Sequence, residues 1–292
     1  MNLIKPRPLV KGDTIEIIAP SGSVDIEKIN KSKIFFEKLG YKVKLGKNLF
    51  ENYRYMSAND DARLEDLHNA FLSKESKAIV CARGGYGAIR LIKKIDYKIF
   101  KDNPKIFCGY SDITALSLMM LKESDLMTYS GPMAQSDFSD DNPDAHAVKS
   151  FFETLSEKYT AYNPKNIIRE GSASGMIWGG NLSTIVSLCG TDFIPDEKFI
   201  FIAEDLNEPV YKIDKMLNQL LNIPNFKENI AAIAFGEFLN IDNNQWLIDL
   251  EKEFAHTLNI PASTGFKFTH GKEKQTVPSG IKAVFDGSLN IV

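Results

Sequence analysis

Three kinds of side chain in this sequence could together cleave an amide bond: a serine hydroxyl, an imidazole and a carboxylate. The segment KIFCGYSDITAL (105–116) places Ser111 directly after a β-type apolar run and directly before a helical pattern. A neutral serine is a weak nucleophile and needs an adjacent base, usually a histidine that a carboxylate orients. Ser111 therefore has two interpretations: the N-cap of the following helix, or a nucleophile held at the end of a strand.

Four histidines are available as the base, and one of them differs from the others in its surroundings. His68 and His256 fall in charged segments with helical patterns, and His146 lies in a polar stretch before a helix. His270 instead follows a short apolar segment, in the glycine-flanked loop 269–280. Loops on rigid scaffolds often carry catalytic groups, so His270 is the candidate base.

Glu204 is the candidate carboxylate, because it stands near the end of the strand-like segment KFIFIAED (198–205). Asp205 and Glu208 compete with it for this role. Any of the three could instead stabilise the N-terminus of a following helix near residue 211 through the helix dipole.

A glycine-rich turn, ARGGYG (82–87), follows another apolar run. It fits neither the dinucleotide-binding nor the P-loop pattern. One interpretation is a tight turn that needs positive φ angles. The other is an oxyanion hole, since glycines allow backbone N–H groups to approach a ligand closely. The N–H of Asp112, directly after the serine, would be a second donor.

The N-terminal half of the sequence alternates strand and helix patterns, which predicts a parallel sheet covered by helices. Ligands bind such sheets beyond the carboxyl ends of the strands. Three unusual turns then share that edge: APSG (19–22), ARGGYG (82–87) and GYSD (109–112). The predicted strands cover 14–20, 41–46, 77–82 and 105–110, and the predicted helices begin near 25, 59, 88 and 113.

Residues 156–172 are polar and contain Pro, Gly and Ser, so we interpret them as a linker between two domains. The N-terminal domain then covers 1–155. The C-terminal domain covers 173–292, where short strands accompany a helix at 211–221. The fold class is α/β, with a second, smaller and β-rich domain.

Composition narrows the function classes. The 292 residues carry a net charge of −3 without clustered basic residues, which argues against nucleic acid or an anionic membrane as partner. The first twenty residues do not resemble a secretory signal, and no stretch reaches the ~18 apolar residues of a membrane span. Three cysteines without metal-type spacing favour a reducing compartment. We therefore expect a cytoplasmic protein.

Seven segments, in this order, resemble the LD-carboxypeptidase family of serine peptidases, which also contains the microcin-immunity peptidases. They span nearly the whole chain, and together they are far more specific than any one of them. The matching segments are APSG (19–22), RGGYGA (83–88), GYSDITAL (109–116), GPM (131–133), GGNLSTIVSLCGT (179–191), AEDLNEPVYKIDKML (203–217) and THGKEKQTVPSG (269–280).

The resemblance implies a catalytic triad of Ser111, His270 and Glu204, with the backbone at Gly85 and Asp112 as the oxyanion hole. It implies a Rossmann-like N-terminal domain and a smaller, β-rich C-terminal domain. Neither a metal nor another cofactor is implied. The implied reaction releases the terminal D-Ala from murein tetrapeptide or a muropeptide during cell-wall recycling, and homodimers are common in the family.

Two further residues of the glycine turn are expected to contact the substrate, Arg83 and Tyr86. A guanidinium can bind the terminal carboxylate of a peptide bidentately. The alternative for Arg83 is structural, tying the turn to the sheet. Two other functions stay open: hydrolysis of a microcin-like peptidyl-nucleotide or aminoacyl-nucleotide conjugate, and a binding module without catalysis in which Ser111 is only a helix cap.

Overall fold

The computed structural model describes residues 2–292 and divides them into two compact units. The N-terminal unit comprises residues 2–158 and 276–278, and the C-terminal unit comprises 159–275 and 279–292. The chain thus passes from one unit to the other after residue 158, inside the segment 156–172 that the sequence suggests as a linker.

The N-terminal unit is built on a six-stranded sheet in the order β11-β5-β4-β3-β1-β2. The contiguous strands from β2 to β5 pair in parallel, which confirms the predicted parallel sheet. The strands are β1 (Thr14–Ile18), β2 (Lys42–Leu45), β3 (Ser76–Cys81), β4 (Ile106–Cys108), β5 (Thr128–Ser130) and β11 (Val277–Ser279), and the helices are α1 (Ile26–Lys38), α2 (Asp60–Leu72), α3 (Tyr97–Asp102), α4 (Ile113–Ser124) and α5 (Ala145–Leu155).

The central strands of this sheet explain where its loops lie. All of β4 and the last four residues of β3 are fully buried, as expected for parallel strands covered on both faces. Because β1, β3 and β4 run in the same direction, the turns that follow them emerge at one edge. The turns are in direct contact there: the Gly22 N–H donates to the Gly84 carbonyl at 3.2 Å.

The C-terminal unit contains a seven-stranded mixed sheet in the order β13-β12-β7-β8-β9-β10-β6. Strands β7 to β10 are parallel, and the outer strands are antiparallel. The strands are β6 (Asn166–Arg169), β7 (Ala173–Asn181), β8 (Phe199–Leu206), β9 (Ile230–Leu239), β10 (Ala262–Thr264), β12 (Lys282–Phe285) and β13 (Leu289–Ile291), and the helices are α6 (Leu182–Ser187), α7 (Val210–Leu221), α8 (Pro224–Asn229) and α9 (Asn244–Leu258).

Strand β6 lies inside the segment that the sequence suggests as a linker. Its residue Ile167 pairs with Ser263 of β10 in antiparallel register. The isoleucine pair 167–168 gives this part of the segment a β-type pattern, so the polar stretch 156–172 ends in an edge strand of the C-terminal sheet.

None of the helices within residues 2–292 could cross a membrane. The longest of them, α9, has 15 residues, whereas a span needs about 20 apolar residues. No helix of the described chain combines the required length with the required apolarity.

Candidate active site

Ser111 occupies a sharp turn between strand β4 and helix α4 of the N-terminal unit. Its φ angle is +62°, in the left-handed region that non-glycine residues rarely adopt. Helix α4 begins at Ile113, its cap is Asp112, and no side chain accepts a cap hydrogen bond. Ser111 is therefore not the helix cap. A strained serine between a strand and a helix is the arrangement of a nucleophile elbow.

The Ser111 hydroxyl lies beside Gly84 of the glycine turn. A Cβ atom added to Gly84 would lie 2.8 Å from the Ser111 Cβ and 2.9 Å from its Oγ. Glycine at position 84 therefore lets the Ser111 side chain lie directly against the turn, where any Cβ atom would clash with it. Within the N-terminal unit, Ser111 Oγ has no hydrogen-bond partner. The sequence pointed to Gly85 and missed this role of Gly84, although the double glycine was the available signal.

Two backbone amides of the neighbouring turns, those of Asp112 and Gly85, are candidates to bind an anion. The Asp112 nitrogen lies 3.4 Å from the position that a Gly84 Cβ would take. Neither the Asp112 N–H nor the Gly85 N–H donates a hydrogen bond within the N-terminal unit. An oxyanion hole requires unpaired backbone amides as donors, so both amides remain candidates for that role.

Arg83 is held by the backbone around it. Its Nε donates to the Gly84 carbonyl at 3.2 Å, and its Nη1 donates to the Ser23 carbonyl at 3.3 Å. These two bonds match the structural alternative, in which Arg83 ties the turn to its neighbours. Tyr86 is 46% exposed, and its ring packs edge-on against Tyr55 with a centroid distance of 5.5 Å.

In the C-terminal unit, the structure brings together Glu204 and His270. The Nδ1 of His270 lies 2.6 Å from the Glu204 Oε2, and both side chains are largely buried, with 13% and 6% exposed. A carboxylate is an acceptor, so Nδ1 carries the hydrogen in this bond. In a neutral imidazole, Nε2 is then the basic nitrogen.

The neighbouring acid, Asp205, has different partners. Its Oδ2 accepts from the Ser183 N–H at 2.7 Å, and its Oδ1 accepts from the Asn181 side chain at 2.9 Å. Burial raises the pKa of the Asp205 carboxyl. The same Asn181 amide donates to the Glu204 Oε1 at 3.3 Å. Among the three competing acids, the one that meets the imidazole is thus Glu204, while Glu208 pairs with Lys212 at 3.2 Å.

An irregularity between strands β8 and β9 lies opposite Glu204. Ala203 pairs with Phe235 but Asp205 pairs with Phe238, so β9 has an extra residue opposite Glu204. Such bulges commonly redirect side chains beside active sites.

Gly236, inside this bulge, lets the histidine loop approach the sheet. The Phe268 carbonyl accepts from the Glu237 N–H at 3.1 Å. A Cβ atom on Gly236 would lie 2.2 Å from that carbonyl oxygen and 3.0 Å from the Glu204 Cβ. Only glycine allows this contact, which carries the loop to His270. The sequence did not reveal this residue.

Gly236→Ala is therefore expected to displace the histidine loop and separate His270 from Glu204. Overpacking of this kind typically lowers the free energy of unfolding by about 1–3 kcal/mol. The strongly hydrogen-bonded Nδ1 proton gives a far-downfield signal in proton NMR, and we expect the variant to lose it. Gly190→Ala is the control. No atom lies within 4 Å of the position that its added Cβ would take, although alanine is strained at its φ of +99°. A downfield signal retained in Gly236→Ala would contradict the role of Gly236.

The remaining histidines all lie on helices. His68 is in α2, His146 in α5 and His256 in α9. His68 Nε2 accepts from the Asp96 N–H at 3.2 Å, and the Nδ1 of His256 contacts the Lys252 carbonyl at 2.6 Å. These contacts give His68 and His256 local structural roles.

Comparison with known proteins identifies both units. Residues 15–131 match the LD-carboxypeptidase N-terminal domain, and residues 174–285 match the LD-carboxypeptidase C-terminal domain. A probable murein peptide carboxypeptidase of Bacillus subtilis is 37% identical, over 97% of this chain and 91% of that protein.

Two solved structures have closely similar folds. The MccF-like protein from Bacillus anthracis superposes with a TM-score of 0.91 at 28% identity, covering 99% of both chains. The muramoyltetrapeptide carboxypeptidase from Oxalobacter formigenes gives a TM-score of 0.85 at 28% identity, covering 94% of this chain and 97% of that one. With both domain models matched in order and a relative aligned over nearly its full length, the chain belongs to the LD-carboxypeptidase family of serine-type carboxypeptidases.

Proposed function

We propose that this protein releases the terminal D-Ala from murein tetrapeptide or a muropeptide, using Ser111 as nucleophile, His270 as base and Glu204 as the residue that orients it. The observation that carries the proposal is the 2.6 Å bond between His270 Nδ1 and Glu204. It fixes the imidazole tautomer in which Nε2 can accept a proton, as serine hydrolysis requires.

In the first step, Ser111 Oγ attacks the carbonyl carbon of the L,D-peptide bond as His270 Nε2 takes the hydroxyl proton. This requires the two groups within hydrogen-bonding distance when substrate is bound. Glu204 stabilises the resulting imidazolium but keeps its own charge. The carbonyl oxygen becomes an oxyanion, which the N–H groups of Gly85 and Asp112 bind.

In the second step, the C–N bond breaks and His270 returns its proton to the leaving amine of D-Ala. The tripeptide stays bound to Ser111 as an ester. Water, deprotonated by His270, then attacks this ester and restores the serine. Each step needs only the residues named and one water molecule.

The names of two relatives support the proposed substrate class. The B. subtilis relative is named a probable murein peptide carboxypeptidase, and the O. formigenes structure is of a muramoyltetrapeptide carboxypeptidase. We propose the same substrate class here, in a cytoplasmic homodimer that recycles cell-wall peptides. Arg83 has no hydrogen bond on Nη2 within the N-terminal unit, so this nitrogen is available for the terminal carboxylate. Tyr86 would pack against the peptide.

A second candidate substrate is a microcin-like peptidyl-nucleotide or aminoacyl-nucleotide conjugate. The similarity to the MccF-like protein favours it, as does the exposed pair of Tyr55 and Tyr86, since aromatic rings can stack on a nucleobase. The same triad would hydrolyse such a conjugate.

The test is mass spectrometry of L-Ala-D-Glu-(diamino acid)-D-Ala after incubation with the protein. We expect loss of one alanine, and no loss from the matched peptide that ends in L-Ala. An aminoacyl-nucleotide conjugate is assayed in parallel. An intact tetrapeptide together with a cleaved conjugate would overturn the murein proposal in favour of the second candidate.

A further inference from the structure

The Asp112 carboxylate connects the nucleophile turn to both neighbouring loops. Its Oδ2 accepts from the Ser21 hydroxyl at 2.6 Å and from the Ala88 N–H at 2.9 Å. Ser21 lies in the loop after β1, and Ala88 directly follows the glycine turn. Asp112 and Ser21 are both buried, with 8% and 0% exposed. One oxygen atom therefore holds together three segments that are distant in sequence.

Arg63 joins two of these segments through a second set of hydrogen bonds. This guanidinium, on helix α2, is 1% exposed. Its Nη1 donates to the Pro20 carbonyl and, at 2.9 Å, to the Gly87 carbonyl, while its Nη2 donates to Asp60 at 2.7 Å. Burial raises the pKa of the Asp112 carboxyl, and the bonds from Ser21 and Ala88 and the charge of Arg63 oppose that rise.

We propose that the Asp112 side chain and Arg63 are positioning residues that set the distance between the two oxyanion donors. The backbone N–H of Asp112 is one donor, and the backbone N–H of Gly85 is the other. The Asp112 carboxylate holds Ala88, which lies three residues after Gly85. Arg63 holds the loop after β1 at Pro20 and the glycine turn at Gly87. The inference deepens the proposed function and rests on its assignment of Ser111.

The composition of the glycine turn explains why these hydrogen bonds are needed. The glycine turn has few side chains to pack, and its Gly85 amide must stay unpaired to bind an anion. A small shift of either amide weakens its bond to the oxyanion, and removal of one oxyanion donor typically lowers kcat by about 10²–10³-fold. Buried hydrogen bonds to charged groups are among the stronger restraints that a protein can supply.

The first test compares Asp112→Ala with Asp112→Asn. Alanine removes both acceptor bonds. We therefore expect kcat to fall by about 10²-fold or more, with KM changed by less than about threefold. Asparagine can accept both bonds through its single amide oxygen, because both end on the same atom in the wild type. We therefore expect it to recover kcat to within about tenfold of the wild type.

The second test uses two arginines that share a partner. Arg63 and Arg90 both donate to Asp60, but Arg90 is on the surface, 42% exposed, and its contact with the glycine turn is to the Tyr86 side chain rather than to a loop carbonyl. We expect Arg63→Lys to lower kcat by at least tenfold, since an amine cannot reproduce the fork of donors. Arg90→Lys should change kcat by less than about threefold, since it leaves the bonds to the Pro20 and Gly87 carbonyls in place.

Two readouts separate positioning from loss of folded protein. The first is the rate at which a fluorophosphonate labels Ser111: the Oγ–P bond forms, fluoride leaves and the proton passes to the base. The labelling end point counts intact sites, and all rates are expressed per intact site. The second is affinity for a peptide aldehyde, which forms a tetrahedral adduct, relative to affinity for the product tripeptide. Asp112→Ala should lower the affinity for the aldehyde and leave the affinity for the tripeptide unchanged.

The outcomes distinguish the two proposals. Wild-type rates per site in both Asp112→Ala and Arg63→Lys would overturn the positioning role and leave the proposed function intact. A wild type that is labelled at Ser111 but releases no D-Ala would overturn the substrate assignment, while the labelling rates still test the positioning role. No labelling of wild-type Ser111 would overturn both.

Discussion

Ser111→Ala is expected to lower the rate of D-Ala release by on the order of 10⁴–10⁶-fold, because it removes the atom that would form the proposed acyl-enzyme. The oxyanion donors and the Glu204–His270 pair would remain, so a small residual rate over uncatalysed hydrolysis is expected. The hydroxyl makes no hydrogen bond within the N-terminal unit, and the alanine side chain fits the same space. The variant should therefore keep its thermal stability and its affinity for the tripeptide product.

The measurement is turnover of the tetrapeptide with the protein concentration raised until the residual rate is seen. Ser288→Ala is the matched control, since that hydroxyl bonds only to Asn163 at 3.2 Å. Its rate should equal that of the wild type. Turnover of Ser111→Ala within tenfold of the wild type would refute the nucleophile assignment.

Glu204→Gln should lower kcat by about 10³–10⁴-fold. The amide of glutamine can donate to His270 Nδ1 and so favour the tautomer in which Nε2 carries the hydrogen and cannot act as base. It also removes the charge that stabilises the imidazolium. The Asn181 amide can still donate to the glutamine oxygen, so the local structure should persist. Steady-state kinetics should show this loss in kcat, with little change in KM.

Asp205→Asn is the comparison for this variant, because Asp205 is the adjacent buried acid and its partners are Ser183 and Asn181 rather than the imidazole. We expect its effect on kcat to stay below about tenfold, with any larger effect on stability. If Asp205→Asn abolished turnover and Glu204→Gln did not, the carboxylate assignment would be wrong.

The sequence predicts the parallel sheet well, because buried strands such as β3 and β4 are continuous apolar runs with turn residues after them. It also indicates Ser111, Glu204 and His270 as candidates, since each follows an apolar segment. Whether Ser111 is a cap depends on a φ angle, which the local sequence leaves open. The segment GYSDI (109–113) matches the Gly-x-Ser-x-Gly pattern of a nucleophile elbow except at its last position, where Ile113 replaces glycine, yet the structure has the sharp turn at Ser111.

Other features depend on contacts between residues far apart in sequence. The pattern after residue 88 suggests a full helix, but the structure has a short 3₁₀ turn at Ala88–Arg90 and a new helix at Tyr97. The Asp112 carboxylate binds the Ala88 N–H, and Asp96 caps the later helix at Lys98. Gly84 and Gly236 are similar cases, since only the approach of Ser111 and of Phe268 explains why they are glycines.

The most direct test of the central claim is fluorophosphonate labelling followed by peptide mapping and a count of D-Ala released. We predict one adduct per chain, on Ser111, and a loss of D-Ala release in proportion to labelling. His270→Ala should label far more slowly than the wild type. Full D-Ala release from protein whose Ser111 is completely labelled, or an adduct on a different residue, would contradict the account.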